Sequence, residues 1–460
     1  MAKRSSLCAL NSPAMFRKLL IANRSEIALR IIAACKDLGV ETVAVYSQAD
    51  AAALHVRHAD EAVCIGPPRS GESYLNVPAV ISAAEITDVD AVHPGYGFLA
   101  EDAGFAEVCE MSEVEFIGPS ADAIRLMGDK VQARKAIKKV GIPILPGTEE
   151  PLASVDEAKK WVDKIGCPVI IKAAAGGGGR GMRIVRHPEE LANAFQQAQH
   201  EAAVSFQSSD VYLEKFIERP RHIEFQVLGD KHGRVVALGE RECSIQRRHQ
   251  KLLEEAPASG LDPALRAKMC DLLGSALSEI GYSNAGTVEF LMDEAGELYF
   301  IELNARIQVE HPVTEAVTGV DLVTAQIRLA DGEHLSAVLP EKIDIRGHAI
   351  ECRINAENPT TFTPSAGKIT QFVPPSGVGI RVDTAAYAGW TVPPYYDSLV
   401  AKLIAHGDDR DHALRRMRRA LDMFTVEGIY TSIPLHKRIL LEEAFVAGTY
   451  DTHFIEEMLG

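Results

Sequence analysis

Polar side chains alternate along the stretch FIELNARIQVEH, where single residues separate Glu302, Asn304 and Arg306. Because residues i, i+2 and i+4 of a strand share a face, these three are predicted to point one way, while the alternating residues Ile301, Leu303 and Ala305 point into the core. Glu289 lies on an earlier predicted strand, TVEFLMD. Two carboxylates and an amide oxygen suit magnesium carrying nucleotide phosphates. For one strand alone, a solvent-facing polar face explains the pattern equally well.

Basic residues cluster in a second stretch, RECSIQRRHQK, which contains Gln246, Arg247, Arg248, His249 and Lys251. Arginine recognises planar oxyanions and lysine supplies a point charge, so the cluster predicts an anion site. A solvated turn or an RNA-binding patch would have a similar composition. The lack of interleaved aromatic residues disfavours RNA.

A glycine run, GGGGRG at 176–181, separates two predicted strands, PVIIK and MRIV. Without Cβ atoms, its backbone N–H groups can approach phosphate oxygens closely, so the segment is predicted to be a hairpin lid over a nucleotide. No Gly-Lys-Ser/Thr follows, which excludes a Walker A loop. An isolated glycine run is more often a flexible linker. The flanking strands and Lys172 favour the phosphate cover.

The elements that carry these residues indicate an α/β protein that becomes α+β in its C-terminal part. LLIAN, a helical stretch and ETVAVYS form a βαβ pattern, in which Asn23 is predicted to cap the helix with Glu26 completing a capping box. Further alternation through AVHPGYGF and VEFIGPS predicts an open, mostly parallel sheet. From HIEFQVLGD onward, the strands favour an antiparallel set.

The composition is that of a folded protein with more than one domain. The chain has 460 residues, 47% of them hydrophobic, and a net charge of −16. The negative charge opposes sequence-independent binding to nucleic acid or to an acidic membrane. Eight dispersed cysteines without a C-x-x-C pair favour a reducing compartment. With no predicted membrane span or signal peptide, we expect a cytoplasmic protein, or one of an organelle stroma or matrix if residues 1–14 are a remnant of a transit peptide.

The motifs together resemble the biotin carboxylase family of ATP-grasp enzymes. The resemblance runs almost continuously from Met15 to the C-terminus, and its most specific motifs are QRRHQK and NARIQVEHPVTE. The other matching motifs are IANRSEIALRI, HPGYGFLAE, MGDK, IKAAAGGGGRGM, EAPA, ECRINAEN and PPYYDSLVAKL.

This resemblance implies a three-domain ATP-grasp architecture. After an extension, 1–14, that is expected to be disordered, it implies a Rossmann-like N-terminal α/β (pre-ATP-grasp) domain over 15–143 and a mobile lid over 144–217. A mixed antiparallel part over 218–460 then holds the rest of the ATP-grasp domain and the biotin carboxylase C-terminal domain. The reaction implied is ATP-dependent activation of bicarbonate to carboxyphosphate, followed by carboxylation of biotin.

Site roles follow from the resemblance residue by residue. The implied ATP contacts are Lys130, Lys172, Gly178, Gly179, Met182, Glu214, Lys215, Ile217, His222, Gln246 and His249, with Glu289 and Glu302 acting through the metal. The implied ligands of Mg²⁺, or of Mn²⁺ in its place, are Glu289, Glu302 and Asn304. The implied bicarbonate pocket is Lys251, Arg306, Gln308 and Val309, with Glu310 as the general base and Arg353 as the group that stabilises the biotin enolate.

The chain departs from the family pattern at a few positions. Ser25 replaces a usual glycine and Ala305 a usual threonine or proline. Ala33 and Val378 replace an arginine and a phenylalanine found at the dimer contact of bacterial members, whereas Arg381 is retained. A homodimer is therefore a weaker implication than catalysis.

The resemblance implies partners as well as chemistry. No A-M-K-M biotin-attachment motif occurs in the sequence, so we expect a separate biotin carboxyl carrier protein and carboxyltransferase subunits as partners. The simplest assignment is acetyl-CoA carboxylase, in fatty acid biosynthesis and lipid metabolism, and a pyruvate or other carboxylase is the alternative. The final acceptor belongs to the transferase partner.

Two other functions remain open at this level. A different ATP-grasp ligase would join a carboxylate to an amine, but Arg353 together with RIQVEH suits bicarbonate and biotin better. A regulatory ATP sensor would keep the fold without turnover. The presence of Glu310, Arg306 and Lys251 argues against such a sensor.

Overall fold

The computed structural model describes residues 15–173, 182–206 and 210–460. Its strands are β1 (Lys18–Ile21), β2 (Glu41–Ser47), β3 (Glu61–Gly66), β4 (Ala91–His93), β5 (Glu115–Phe116), β6 (Val169–Ala173), β7 (Met182–Val185), β8 (Val211–Lys215), β9 (Arg221–Gly229), β10 (Val235–Arg247), β11 (Gln250–Ala256), β12 (Asn284–Met292), β13 (Leu298–Asn304), β14 (His348–Asn355), β15 (Gly367–Lys368), β16 (Gln371–Val373), β17 (Ile380–Thr384), β18 (Thr391–Val392), β19 (Leu399–Gly407) and β20 (Thr425–Glu427). Its α-helices are α1 (Ser25–Leu38), α2 (Leu54–His58), α3 (Val77–Ile86), α4 (Ala103–Met111), α5 (Ala121–Gly128), α6 (Lys130–Lys139), α7 (Val155–Ile165), α8 (Leu191–Phe206), α9 (Pro263–Ile280), α10 (His311–Thr318), α11 (Leu322–Ala330), α12 (Leu335–Val338), α13 (Arg410–Met423), α14 (Ile433–Ile439), α15 (Glu443–Ala447) and α16 (Phe454–Leu459).

The N-terminal region is a doubly wound parallel sheet, as its alternating pattern predicts. Among the described residues the strand order is β3-β2-β1-β4-β5, and every neighbouring pair is parallel. The apolar positions of α1, including Ile27 and Ile31, are buried against this sheet. The carboxyl ends of β1 and β4 therefore present the segments that follow them, 22–26 and 94–98, at one edge.

The predicted cap of α1 is wrong. Arg24 occupies the N-cap position and makes no side-chain cap hydrogen bond. The side-chain amide of Asn23 instead donates to the carbonyl oxygens of Pro94, at 2.7 Å, and Tyr96, at 2.8 Å. These carbonyls lie in the turn after β4. Because these backbone carbonyls require a hydrogen-bond donor, the Asn23 side chain binds them and does not cap α1.

The lid contains a small antiparallel sheet of order β7-β6-β8. The predicted pairing of PVIIK with MRIV is confirmed, since Lys172 of β6 lies opposite Met182 of β7. Residues 211–215 form a third strand, which pairs antiparallel with β6. The glycine run that joins β6 to β7 lies outside the described residues.

The central framework of the C-terminal half is a large antiparallel sheet, as predicted. Its described strands follow the order β13-β12-β9-β10-β11-β14-β19-β17, with every neighbouring pair antiparallel. Helix α9 packs on β10 and α13 packs on β19. The expected domain boundaries at 143/144 and 217/218 stay predictions. Among the described helices, none is long and apolar enough to cross a membrane.

Candidate active site

A single large cavity gathers the predicted site. It has a volume of about 2010 Å³, and parts of the parallel sheet's edge, the lid and the large antiparallel sheet all contribute to its wall. Every predicted site residue whose side chain is described lines it, namely Lys172, Met182, Glu214, Lys215, Ile217, His222, Gln246, His249, Lys251, Glu289, Glu302, Asn304, Arg306, Gln308, Val309, Glu310 and Arg353. The side chain of Lys130, together with Gly178 and Gly179, lies outside the described part of the chain.

Lys251, at the start of β11, is the central cation of this site. Its Nζ atom donates to Glu224 Oε2 at 2.5 Å, Glu310 Oε1 at 2.6 Å and Glu289 Oε1 at 3.0 Å. Burial opposes its charge, but the three carboxylates raise the pKa of Lys251 well above its ordinary value. Lys251 therefore remains an ammonium ion throughout the neutral pH range.

Glu310 joins this lysine to the opposite wall of the cavity. It is the N-cap residue of α10, yet its side chain makes no cap hydrogen bond. Its second oxygen accepts from Arg353 Nη2 at 2.8 Å. Burial alone would favour the neutral acid, but Lys251 and Arg353 hold the pKa of Glu310 well below its usual range. Glu310 is therefore a buried carboxylate that stays ionised at neutral pH, which is the state a proton acceptor must have, while the same two cations lower its basicity.

Arg353 is itself held in place from its own sheet. Its Nε donates to Glu254 Oε1 at 2.6 Å across the β11–β14 pair. Burial opposes its charge, and the carboxylates of Glu254 and Glu310 raise the pKa of Arg353 above its already high value. The guanidinium is therefore a fixed positive group at the cavity wall, where it can stabilise negative charge on a ligand.

The two predicted metal-ligand carboxylates face each other. Glu289 of β12 lies opposite Glu302 of β13 in the strand register. Asn304 Nδ2 donates to Glu289 Oε1 at 3.0 Å, and Gln308 Nε2 donates to the same oxygen at 2.8 Å. Burial opposes the ionisation of Glu289, but Lys251 and His222 hold the pKa of this carboxyl well below its usual value. Paired carboxylate oxygens beside an amide at a cavity wall fit a magnesium ion.

One expectation about this strand is wrong. The register shifts between Glu289 and Phe290, because Glu289 pairs with Glu302 whereas Phe290 pairs with Phe300. Ile301 is thus the extra residue of a β-bulge, which breaks the alternation. Ile301 lines the cavity beside Glu302 instead of pointing into the core.

Sequence reasoning missed Glu224, a fully buried carboxylate under the site. Glu224 accepts from Lys251 and, through its other oxygen, from Arg241 Nε at 2.5 Å. It lies opposite Glu289 in the β9–β12 register. Among the described residues, possible ligand atoms of His222, Glu224 and Glu289 lie within 4.8 Å of one another. The alternation of His222 and Glu224 in HIEFQ is the signal that would have placed Glu224 on this face.

Arg306 lies beyond the end of β13, where a second missed residue holds it. Its Nε donates to Glu101 Oε2 at 2.8 Å, and the backbone N–H of Ala305 donates to the other Glu101 oxygen at 3.0 Å. Arg306 Nη2 also donates to Asn304 Oδ1 at 3.2 Å. Glu101, which ends the HPGYGFLAE motif, thus fixes the direction of this guanidinium.

The lid end of the cavity has a separate charge cluster. Lys172 Nζ donates to Glu214 Oε2 at 2.6 Å, and Arg134 of α6 pairs with the other oxygen of Glu214. The Lys215 ammonium donates to the carbonyl oxygen of Cys167 at 3.1 Å. Lys172 and Lys215 are the two lysines with described side chains that are predicted to contact the nucleotide. The ammonium group of Lys172 lies beside the carboxylate of Glu214, whereas the ammonium group of Lys215 binds a backbone carbonyl of the lid.

Three family models match successive segments of the chain. The family model "Biotin carboxylase, N-terminal domain" matches residues 15–124. "Carbamoyl-phosphate synthase L chain, ATP binding domain" matches 129–338, and "Biotin carboxylase C-terminal domain" matches 351–457. Together, these matches span most of the sequence in the order of the family.

Two curated relatives and one solved structure illustrate the similarity. Biotin carboxylase 1 of Bacillus subtilis is 56% identical over 96% of this chain and 98% of its own length. A pyruvate carboxylase subunit of Methanothermobacter thermautotrophicus is 52% identical over 96% of this chain and 90% of its own. The biotin carboxylase domain dimer of Hydrogenobacter thermophilus 2-oxoglutarate carboxylase, in complex with MgADP, ADP and bicarbonate, has a TM-score of 0.89 and 49% identity, covering 97% of this chain and 99% of that one.

The lid, the large antiparallel sheet and the cavity between them define an ATP-grasp ligase. Such enzymes bind ATP between a lid and a sheet. The matches over nearly the whole length place the chain further, and it belongs to the biotin carboxylase family.

Proposed function

We propose that this biotin carboxylase activates bicarbonate with ATP and transfers the carboxyl group to biotin on a carrier protein. The observation that carries the proposal is the position of Glu310, whose two oxygens bind Lys251 and Arg353. One carboxylate thus lies between two cations, and Lys251 also donates to Glu289 of the Glu289–Glu302 pair. It suits a reaction in which one anion must attack another.

In the first step, Glu310 takes the proton of bicarbonate, whose oxygen then attacks the γ-phosphorus of ATP. The bond from that phosphorus to the β–γ bridging oxygen breaks, so carboxyphosphate and ADP form. Lys251 and Arg306 offset the repulsion between the two anions. A magnesium ion held by Glu289, Glu302 and Asn304 would supply charge neutralisation at the phosphates.

In the second step, the bond between the carboxyl carbon and the oxygen that bridges it to phosphorus breaks, and the bridging oxygen stays on phosphorus, which gives CO2 and inorganic phosphate. The ureido nitrogen of biotin loses its proton to that phosphate and attacks CO2, while Arg353 stabilises the enolate-like oxygen. Closure of the lid would keep water from carboxyphosphate.

A first assay measures ADP release by the purified protein with magnesium and bicarbonate, with and without free biotin. Turnover that requires bicarbonate and rises with biotin supports the proposal. ATP binding without bicarbonate-dependent turnover would contradict it and favour a regulatory ATP sensor. Turnover that needs an amine instead would favour a different ATP-grasp ligase.

For the acceptor, we propose the first half-reaction of an acyl-CoA carboxylase, most simply acetyl-CoA carboxylase. The Bacillus relative, of which this chain spans 98%, is named for the biotin half-reaction alone, so it supports that half-reaction and leaves the acceptor to be assayed. A pyruvate or other keto-acid carboxylase is the second candidate, favoured by the similarity to the Methanothermobacter pyruvate carboxylase chain. Pull-down of the carrier and transferase, followed by assays with acetyl-CoA and with pyruvate, separates the two.

Two further proposals concern assembly. The first, that biotin lies on a separate carrier chain, is tested by probing the purified chain with streptavidin, since a covalent biotin signal would contradict it.

The second, a homodimer, is supported by the dimer of the 2-oxoglutarate carboxylase domain. Sedimentation at micromolar concentration tests it, and a single monomer species would contradict it.

A further inference from the structure

Lys402 of β19 is a buried cation directly behind the bicarbonate pocket. Its side chain is fully buried, and it lies opposite Arg353 of β14 and Asp383 of β17 in the sheet register. Its Nζ atom donates to the carbonyl oxygen of Val309 at 3.0 Å. Lys402 thus contacts the backbone of a predicted bicarbonate residue without lining the cavity itself.

The segment that Lys402 contacts lies between β13 and α10, outside any regular element. From this segment Gln308 donates to Glu289 at 2.8 Å, and Glu310 accepts from Lys251 and Arg353. No strand ladder sets the orientation of the Val309 peptide. A charged donor on its carbonyl fixes the peptide plane, and with it the directions of the side chains on either side.

The surroundings of Lys402 show that its charge is built into the fold. Burial of an ammonium ion costs several kcal/mol unless countercharges surround it. Glu26 Oε2 of α1 lies 3.2 Å from Nζ, and Asp383 Oδ2 lies 3.9 Å away. Glu26 is held in turn by the hydroxyl of Tyr96. The ammonium therefore connects α1, β17 and the segment that carries Gln308 and Glu310.

We propose that Lys402 is a positioning residue for the bicarbonate step, acting through the Val309 carbonyl on Gln308 and Glu310. The inference rests on the proposed function. It assigns Lys402 no contact with bicarbonate, ATP or biotin. Because displacement of a reacting group by about 1 Å can cost ~10²-fold in rate, loss of this contact should impair use of bicarbonate specifically.

The main test is Lys402→Met, measured as bicarbonate-dependent ADP release in the presence of biotin. We expect the KM for bicarbonate to rise at least about tenfold, while the KM for MgATP stays within about twofold, since Lys402 does not face the nucleotide end. A Lys402→Met enzyme with a wild-type KM for bicarbonate would overturn the inference. So would an equal loss in every kinetic parameter, because that pattern indicates general structural damage.

Three controls isolate the Val309 contact. Glu26→Gln breaks the ion pair but leaves the donor to Val309, so its KM for bicarbonate should stay within about twofold of wild type. The double variant Glu26→Gln/Lys402→Met removes the contact together with the Glu26 charge that pairs with Lys402, and it should show the same bicarbonate defect as Lys402→Met. Lys437→Met, at a part-exposed lysine paired with Asp422 at 2.8 Å, should leave all parameters unchanged.

A further variant keeps the test decisive if both methionine variants fail to fold, as judged by circular dichroism. Lys402→Arg retains the charge but displaces the donor, and it should raise the KM for bicarbonate by about two- to tenfold. An unchanged KM in a folded Lys402→Arg enzyme would overturn the inference. Absence of bicarbonate-dependent turnover in the wild type would instead defeat the proposed function, so the two failures differ.

Discussion

At the residue scale, the site depends on which buried groups keep their charge. Glu310 and Glu289 are both buried, and burial alone would raise the pKa of each. Lys251 borders both carboxylates and reverses that effect. The charge state of the proposed base is therefore set by its neighbours and not by its own exposure.

The proposed base gives the first prediction. Glu310→Gln keeps the shape of the side chain but cannot take a proton, so bicarbonate-dependent turnover should fall by about 10²–10⁴-fold while ATP still binds. Steady-state ADP release and nucleotide titration measure the two quantities. Glu41→Gln, at an exposed residue on β2, is the matched control. Wild-type turnover in Glu310→Gln would refute the assigned role.

The low pKa of Glu310 adds an expectation about pH. A carboxyl whose pKa lies below its ordinary value of 4.5 stays ionised as the pH falls from 8 to 5. The variant and the wild type should therefore differ by the same factor at pH 8 and at pH 6. A difference that disappears at pH 6 would mean that Glu310 is protonated there.

Ser25 gives a second prediction at this scale. Its φ is 62°, in the left-handed region, at the position where the family usually has glycine. Such a conformation strains a residue with a Cβ atom, so Ser25→Gly should stabilise the fold by about 0.5–1 kcal/mol. Thermal and urea unfolding measure the change. Ser82→Gly, within α3 and exposed, should instead destabilise by a few tenths of a kcal/mol, about 0.3–0.5. If both variants changed the free energy of unfolding in the same direction, the explanation by backbone strain at Ser25 would be contradicted.

At the element scale, β11 shows how one strand serves two environments. Glu254 and Glu255 are neighbours and therefore point to opposite faces of the sheet. Glu254 faces Arg353, and burial raises its pKa to about 7. Glu255 accepts from His348 and Arg410, which lower its pKa to about 2 despite burial. The strand thus supports the active site on one face and packing of the C-terminal elements on the other.

Glu255 gives a prediction about stability. Its pKa is lowered from 4.5 to about 2, so its contribution is fully present above about pH 4.5 and is lost as the pH falls toward 2. Glu255→Gln should cost on the order of 3 kcal/mol at pH 7, and the difference from wild type should shrink by about 1 kcal/mol at pH 4. Urea unfolding at both values measures it. Glu85→Gln, at an exposed residue, is the control. A difference that grows as the pH falls would contradict the sign.

At the scale of the whole molecule, the cavity exists only because three regions of the chain meet. Arg24 follows the first strand of the parallel sheet, Lys172 lies in the lid and Lys251 lies in the large sheet, yet all three line one cavity. The chain as a whole carries a charge of −16. A local group of cations inside an acidic protein allows anionic substrates to bind at the cavity while the outer surface repels them.

Nucleotide binding should therefore stabilise the whole enzyme, and most of this stabilisation should require metal. At a free MgATP concentration of about 100 times the Kd, stability should rise by roughly 2.7 kcal/mol, detected as a higher Tm. EDTA should remove most of the shift, and Glu289→Gln/Glu302→Gln should lose it in the presence of magnesium. Magnesium without ATP is the control. A full rise in Tm with ATP in the presence of EDTA would contradict the proposal that Glu289 and Glu302 bind the metal.

Much of the fold and of the site could be predicted because the signals are local. The parallel N-terminal sheet, the β6–β7 pair and the antiparallel strands from residue 221 are confirmed. The predicted cap at Asn23 is wrong because its side-chain amide binds the carbonyl oxygens of Pro94 and Tyr96, which lie in a turn about 70 residues further along the chain. The position of Ile301 failed because a bulge depends on the partner strand, which periodicity along one strand does not report.

The family, the strand pattern and the residue types that could bind phosphate, metal and bicarbonate can all be recognised along the chain alone. These features depend on side-chain chemistry and on the repeat of two residues along a strand, both of which are local. The contact of Glu224 with Lys251, and that of Lys402 with the carbonyl of Val309, 93 positions away, are visible only in the folded chain. Such contacts arise where distant segments pack together, because buried charges must find their partners in space and not along the chain.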